Sequence, residues 1–161
     1  MKKQYTVAPV IKNEKMTVTF EDLTSEGMGV AKVEGYPLFV ADGLPGERAT
    51  IKVTKVGKSF GFARIEERLS SSPDRIPTRD VKGTRVGTMP LQNLRYSAQL
   101  AFTKNNVEQV MKRIAKMPEV EVKPTIGMEN PWGYRSKAQI PVRKKDGKLV
   151  TGFFRTNTHE L

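Results

Sequence analysis

The chain is 161 residues long, with 28% charged and 37% hydrophobic residues, a formal net charge of +11, one histidine and no cysteine. This composition is typical of a globular protein in aqueous surroundings, and no apolar run approaches the roughly 20 residues of a membrane span. The absence of cysteine excludes disulfides and thiolate metal sites, and the single His159 leaves little basis for a histidine metal site or a catalytic triad. We therefore expect a cytoplasmic protein.

The positive charge is concentrated in the second part of the sequence. Residues 1–69 hold 11 basic and 9 acidic side chains, whereas residues 70–161 hold 17 and 8. A basic protein of this kind is expected to bind a polyanion, because each neutralised phosphate releases condensed counterions. The alternative is that the lysines only keep the protein in solution.

Residues 1–15 are polar, lysine-rich and without periodicity, which predicts a flexible lead segment. Alternation of apolar and polar residues then predicts five short strands within residues 16–68. The first begins at Met16, and the others are expected at 28–33, 36–40, 47–56 and 60–67.

Glycine-rich turns separate these strands, among them Glu34-Gly35 and Gly43-Leu44-Pro45-Gly46. Glycine permits the positive φ angles and bulges that a strongly curled sheet needs at its corners. The sequence therefore predicts a mainly β first part, a five-stranded barrel of the OB type. We expect the acidic residues at its turns to be solvated, namely Glu26, Glu34, Asp42 and Glu47.

Residues 69–78 have the serine- and proline-rich composition of a linker. Residues 79–161 are predicted to be a partial α+β domain. In it, apolar residues at helical spacing predict one long helix over about 96–116, and the Asp146-Gly147 turn signal predicts a β-hairpin over about 134–155. Because an isolated hairpin is marginally stable, we expect further residues of a longer chain to complete this domain.

Two groups of basic and aromatic residues are candidates for contact with RNA. The barrel supplies Lys55, Lys58, Phe60, Phe62 and Arg64, and the second part supplies Trp132, Tyr134, Arg135 and Lys137. Aromatic rings stack on unpaired bases, and cations bind phosphates. Alternation puts Phe60 and Phe62 on one side of a strand, so both are either stacking residues or core residues. No phosphate-binding glycine loop, dinucleotide fingerprint or nucleophile–base pair is present, so no catalytic residue is predicted.

Several segments, taken together and in order, resemble one enzyme family. EGMGVAKVEGYPLFVADGLPGE and VTKVGKSFGFARI are similar to the TRAM domain at the N-terminus of bacterial SAM-dependent RNA uracil-C5 methyltransferases that modify 23S rRNA. SPDRIP, MPLQNLRYSAQLAFTKNNV and NPWGYRSKAQIPV resemble the segments that follow it in those enzymes. The resemblance covers nearly the whole chain from Met16 on, and it implies a TRAM barrel followed by the start of a central RNA-binding domain.

The domain that binds SAM, the nucleophilic cysteine and the general base come later in that family. The resemblance therefore implies an N-terminal fragment that binds 23S rRNA and is inactive alone, with Arg135 and Lys137 of its GYR-x-K element contacting RNA near the target nucleotide. We expect this fragment to be a monomer. Many members hold a 4Fe–4S cluster through cysteines at the positions that Asp80, Val86 and Met89 occupy here, so no cluster is expected. A tRNA-directed enzyme of the same family and a free-standing OB-like RNA- or ribosome-binding protein are the alternatives.

Overall fold

The structure is a computed structural model that describes residues 7–155, so His159 lies outside the described residues. The chain divides into two compact units, with the boundary between Pro77 and Thr78. Among residues 7–155, no helix has the length and apolar character needed to cross a membrane.

The first unit is a single six-stranded sheet. Its strands are β1 (Lys15–Thr19), β2 (Asp22–Leu23), β3 (Gly29–Val33), β4 (Tyr36–Val40), β5 (Arg48–Val56) and β6 (Gly61–Arg68). They are hydrogen-bonded in the order β1-β5-β6-β4-β3-β2, and every pair is antiparallel except the parallel pair β4–β6. The strand at 36–40 has its predicted bounds, and the others agree with the prediction to within a residue or two.

The two ends of this sheet order are consecutive pieces of one strand. Between β1 and β2, Phe20 N donates to Glu47 O at 2.9 Å, and Glu21 N donates to Val30 O at 2.8 Å. The chain thus leaves the edge beside β5 and joins the edge beside β3, which closes the sheet. The predicted OB-like barrel of five strands is confirmed, with its first strand divided in two. Its second piece is β2 (Asp22–Leu23), which none of the five predicted strands includes.

Alternation along the strands fills the barrel with apolar side chains. The largest fully buried apolar side chains are Phe20, Tyr36, Leu38, Val40, Leu44, Ile51 and Val53. The phenol of Tyr36 donates to Gly57 O at 2.8 Å, so its one polar group is satisfied. Val10 belongs to the same core at 3% exposure, and Asn13 N donates to Val53 O at 2.8 Å. The end of the segment expected to be a flexible lead is therefore held against the barrel by an apolar anchor that composition does not reveal.

Glu47 is fully buried, so the expectation that it is a solvated turn residue is wrong. Its carboxylate accepts hydrogen bonds from Leu44 N at 3.0 Å, Ser72 N at 3.0 Å and Arg75 Nε at 2.5 Å. Arg75 Nη2 and Arg68 Nε add two further donors, at 2.9 and 3.3 Å. Arg68 ends β6, and Ser72 and Arg75 follow it, so three of these partners lie more than 20 residues after Glu47 in the sequence, which its position in a turn does not disclose.

The segment predicted to be a linker lies along the barrel as far as Arg75. Leu69 N and Ser70 N both donate to Arg48 O, at 2.8 and 3.1 Å, and Arg48 N donates to Ser70 Oγ at 2.9 Å. Arg75 also donates to the carboxylate and carbonyl oxygens of Asp42, at 3.0 and 2.7 Å. We call residues 69–75 the strap, because backbone and charged hydrogen bonds attach them to the first unit.

The second unit contains two helices and a hairpin. Its elements are α1 (Val81–Val86), α2 (Tyr96–Val110), a π-helical turn (Met111–Ala115), β7 (Val142–Lys145) and β8 (Lys148–Thr151). The sequence predicts neither helix nor strand at α1, because Gly83 weakens its helical pattern. The long predicted helix is present, with its last turn as a π-helix that ends at Lys116, where φ is +60°.

The hairpin is shorter than predicted. Asp146 and Gly147 have φ angles of +50° and +77° and form the expected tight turn between β7 and β8. Residues 134–141 are not a strand, although their side chains alternate. Pro141 has no N–H to donate to a ladder, which explains why pairing begins only after it.

The apolar face of the long helix, formed by α2 and its π-helical turn, is partly exposed within the described part of the chain, most strongly towards its C-terminal end. No residue of α2 is buried, and Val107, Val110 and Ile114 are 45%, 48% and 75% exposed. The fully packed residues of this unit lie instead before the helix, where Gln92, Asn93 and Leu94 are at most 5% exposed. Helical periodicity alone predicts an apolar face but not what covers it.

Candidate nucleic-acid interface

Three phenylalanine rings contact one another on the outer surface of the barrel. Phe39 lies on β4, Phe62 on β6 and Phe60 directly before β6. The ring centroids are 5.4 Å apart for Phe39–Phe60, 5.9 Å for Phe39–Phe62 and 5.7 Å for Phe60–Phe62. Phe60 is 44% exposed, and none of the three belongs to the core. Of the two alternatives for Phe60 and Phe62, the structure selects the surface.

Phe39 is a member of this cluster that the sequence prediction omits. Its strand alternates, with Tyr36, Leu38 and Val40 buried and Phe39 on the other side. The inward alternation of that strand was the signal that could have identified it. Parallel pairing of β4 with β6 then puts Phe39 opposite Phe62.

The lysines beside this cluster have no acidic partner. Lys55 on β5 is the cross-strand partner of Phe62 on β6. Lys52 lies three residues earlier on β5, and Lys58 is in the turn between the two strands. None of the three forms an ion pair with any residue between 7 and 155. Lys52 is a second omission from the predicted RNA contacts, although alternation along its strand already puts its side chain on the outer face. The strand register places it opposite Arg64.

Arg64, by contrast, is already engaged. Its Nε lies 2.8 Å from Glu66 Oε1, and Lys15 Nζ lies 3.1 Å from Glu66 Oε2. Hydrogen bonds from Arg64 and Lys15 hold the pKa of Glu66 below its ordinary value. This predicted RNA-binding residue therefore lies beside the phenylalanine cluster but is paired with an acid.

The buried carboxyl of Glu47 is ionised for a different reason. Burial raises its pKa, but hydrogen bonds from Arg75 and from the Ser72 and Leu44 amides, together with the charge of Arg75, outweigh burial and hold the pKa below its ordinary value. This network has a structural explanation, because every donor comes from the barrel or the strap. It supplies neither a nucleophile nor a general base, and we assign it no catalytic role.

In the second unit, three of the four predicted RNA-binding residues line one concavity, and the fourth does not. Tyr134, Arg135, Ser136, Lys137 and Gln139 line an open concavity of about 570 Å³. Arg135 Nε donates to Lys137 O at 2.9 Å, which fixes the guanidinium beside the chain, and Tyr134 is 73% exposed. Trp132 is not among the lining residues. Its ring lies under the guanidinium of Arg79, 4.4 Å from the ring centroid, as a cation–π pair.

The segment that carries the family's cluster positions is held by hydrogen bonds. The side chain of Gln92 accepts from Asp80 N and donates to Asp80 O, both at 2.8 Å, which closes the loop around α1. Met89 and Asp80 both lie close to Gly83. Asp80, Val86 and Met89 offer no thiolate, so these residues do not fit an iron–sulfur cluster. In the described part of the chain, no group of three or more histidine, cysteine or acidic residues is placed to hold a metal ion.

Comparison with known proteins defines the class of the first unit. A model of the TRAM domain family matches residues 9–65, which span the barrel from its N-terminal anchor to β6. The chain contains a TRAM domain.

Similarity to longer proteins extends beyond that domain. A protein of Enterococcus faecalis named "Uncharacterized RNA methyltransferase" is 57% identical over 153 residues, covering 95% of this chain and 34% of its own length. Proteins with the same kind of name from Halalkalibacterium halodurans and Listeria innocua are 46% and 47% identical, with 96% and 93% of this chain covered. The chain spans about a third of the length of these curated relatives. The resemblance to TRAM-containing RNA methyltransferases is thereby confirmed.

One solved structure is similar over part of the chain. The solution structure of a conserved protein from Methanococcus maripaludis is 33% identical, with 37% of this chain and 86% of that chain covered, and the TM-score is 0.36. A TM-score of this size does not define the fold, which is established here by strand order and register.

Proposed function

We propose that this chain is the RNA-recognition part of an RNA methyltransferase that transfers a methyl group from SAM to C5 of a uridine in 23S rRNA. The single observation that carries the proposal is the TRAM barrel itself, whose outer face combines exposed aromatic rings with lysines that lack acidic partners. Similarity over 95% of the chain to a protein named RNA methyltransferase supports the reaction class. RNA as substrate also supports a cytoplasmic location.

The second unit is proposed to contact RNA near the modified nucleotide. Tyr134, Arg135 and Lys137 supply one aromatic ring and two cations around a single concavity. Such a combination grips a splayed nucleotide by stacking and by charge-assisted hydrogen bonds. No residue of this chain is assigned to SAM or to the chemical step. The 161-residue chain alone is therefore expected to bind RNA without methylating it.

Titration of the chain with stem-loops derived from 23S rRNA, at two salt concentrations, tests the proposal. Binding is expected to weaken steeply as salt is raised, because counterions released from phosphates drive it. A tRNA titrated in parallel distinguishes the two substrate classes. Negligible affinity at low salt, or affinity that does not change with salt, would refute RNA recognition, and preference for tRNA would refute the rRNA assignment alone.

Arg135→Ala tests the role of the second unit. We expect RNA binding to weaken by about 1–3 kcal/mol if its hydrogen bonds to RNA are specific. Lys123→Ala is the matched control, since it removes one positive charge from an exposed side chain of the same unit that pairs with Glu121 at 3.1 Å. Equal effects of the two substitutions would show that only overall charge matters there.

A further inference from the structure

The outer face of the barrel carries two neighbouring rows of side chains. The basic row is Lys52 and Lys55 on β5 with Lys58 in the following turn, and the aromatic row is Phe39, Phe60 and Phe62 on β4 and β6. Lys55 and Phe62 are directly paired, and neighbouring strands lie about 4.8 Å apart. The two rows therefore run side by side across adjacent strands.

Building on the proposed RNA binding, we propose that this face binds one unpaired RNA strand, with its phosphates along the lysine row and one base stacked on Phe60. Charge complementarity supports this occupant, because the three lysines have no acidic partner among the described residues. The aromatic row requires the strand to be unpaired. Bases inside a duplex are covered on both faces by their neighbours and cannot stack on a protein ring.

The geometry of the rings distinguishes the stacking residue from its supports. Phe60 is exposed, with 44% of its surface open to solvent, whereas Phe39 and Phe62 are half-buried. The ring planes of Phe60 and Phe39 are tilted by 43°, and those of Phe60 and Phe62 by 84°. Rings so inclined do not form a row of parallel faces, and their edges hold the Phe60 ring in position. One base is therefore accommodated, on Phe60.

The ion pairs of the barrel separate phosphate ligands from bystanders. The Arg64 side chain is 63% exposed, but its Nε binds Glu66 at 2.8 Å. A phosphate would have to displace that carboxylate or approach it closely, which offsets the gain in Coulomb energy. Lys55 has no such competitor. The proposed phosphate row therefore includes Lys55 and excludes Arg64, although both lie on the same face.

The test uses the whole 161-residue chain and a labelled oligouridine about eight nucleotides long, a typical site size for one OB barrel. A duplex RNA of the same length is the competing probe. Lys55→Ala and Arg64→Ala are the matched pair, since each removes one exposed cation from adjacent strands. Phe60→Ala removes the ring, and Phe60→Leu keeps an apolar side chain of similar bulk without a π face. Thermal unfolding of each variant reports whether the barrel remains folded.

We expect the single strand to bind more tightly than the duplex. Phe60→Ala is expected to weaken binding by about 5- to 140-fold, and Phe60→Leu by a similar factor. Lys55→Ala is expected to reduce the slope of log K against log salt by about 0.7, while Arg64→Ala leaves it unchanged.

Three outcomes would overturn the inference. If the wild-type chain binds RNA but the Phe60 and Lys55 variants bind equally well, RNA uses another surface and the proposed face is wrong. If the duplex binds as tightly as the single strand, the stacking step is wrong. If Arg64→Ala matters as much as Lys55→Ala, the ion-pair argument is wrong. In each case the wild-type affinity for RNA remains, whereas failure of the proposed function would remove that affinity itself.

Discussion

Substitution of Arg75 by methionine tests whether burial determines the strength of the ion pair that attaches the strap. The Arg75 side chain is 14% exposed, and its Nε lies 2.5 Å from a Glu47 carboxylate that is fully buried. The pair between Lys32 and Glu21 has the same separation of 2.5 Å, but its side chains are 51% and 49% exposed. Lys32→Met is therefore a control matched in distance and different in burial.

The structure gives the expected magnitudes. Removing one member of a buried pair costs about 3–5 kcal/mol, because a charge is left in the interior. Arg68 Nε still faces Glu47 at 3.3 Å, and the Leu44 and Ser72 amides still donate, so we expect the lower end, about 3 kcal/mol. For a domain of this size that lowers Tm by about 12–24 °C. Lys32→Met is expected to cost less than about 1 kcal/mol.

Amide hydrogen exchange is the suitable assay, because it reports each unit separately. Ile51 and Val53 lie in the middle of β5, and their exchange gives the unfolding free energy of the barrel. Leu69 and Ser70 donate to Arg48 O, and their exchange reports detachment of the strap. In Arg75→Met the strap amides should lose protection first. Equal losses of stability in Arg75→Met and Lys32→Met would refute the reasoning, since burial would then contribute nothing.

Three further outcomes are expected. The pKa of Glu47 is lowered in the folded state, so its contribution to stability is complete above the unfolded pKa of about 4.5 and is lost as pH falls through the folded pKa. Glu47→Gln should therefore remove that part of the loss of stability in acid, which unfolding experiments below about pH 5 measure. A Cβ at Gly29 would lie 2.7 Å from Gly43 O, so Gly29→Ala should destabilise the barrel by about 1–3 kcal/mol through overpacking. A Cβ at Gly46 would meet open space, but φ there is +84°, so Gly46→Ala should cost about 1–2 kcal/mol through backbone strain. Chemical denaturation measures both losses of stability. Gln92→Leu leaves the N–H and C=O that precede α1 without their side-chain partner and should destabilise the second unit by about 1–3 kcal/mol, seen as faster exchange around α1.

The alternation of apolar and polar residues predicted the strands because each strand of the barrel has one buried and one solvent-exposed face. The period-two signal is strong in Tyr36–Val40, and its predicted bounds are those observed. The signal fails at Asp22–Leu23, a two-residue strand too short to show a period. Closure of the sheet depends on that piece pairing with β3 while β1 pairs with β5, which is a long-range property. The barrel was predictable, but the way the first strand closes it was not.

Long-range charge pairing was the main limit on predicting the candidate site. Glu47 follows a glycine-rich turn, a position that is usually exposed to solvent. Its ion-pair partners, Arg68 and Arg75, come 21 and 28 residues later in the sequence. Alternation alone puts Phe39 and Lys52 on the outward side of their strands, whereas the pairing of Lys55 with Phe62 required the register of β5 against β6. Residues whose role depends on which strand lies next to them are therefore the ones that periodicity misses.

The same pairing changes what net charge says about the barrel. Residues 1–69 carry an excess of only two basic side chains, against nine in the remainder, which points to the second part as the polyanion-binding region. In the structure, however, three acidic residues of the barrel already form ion pairs. Arg68 and Arg75 pair with Asp42 and Glu47, and Arg64 and Lys15 pair with Glu66. The lysines of β5 and its turn are left without counter-charges on one face. A nearly balanced barrel thus presents a locally positive surface, since the field near a phosphate depends on the nearest unpaired charges more than on their sum.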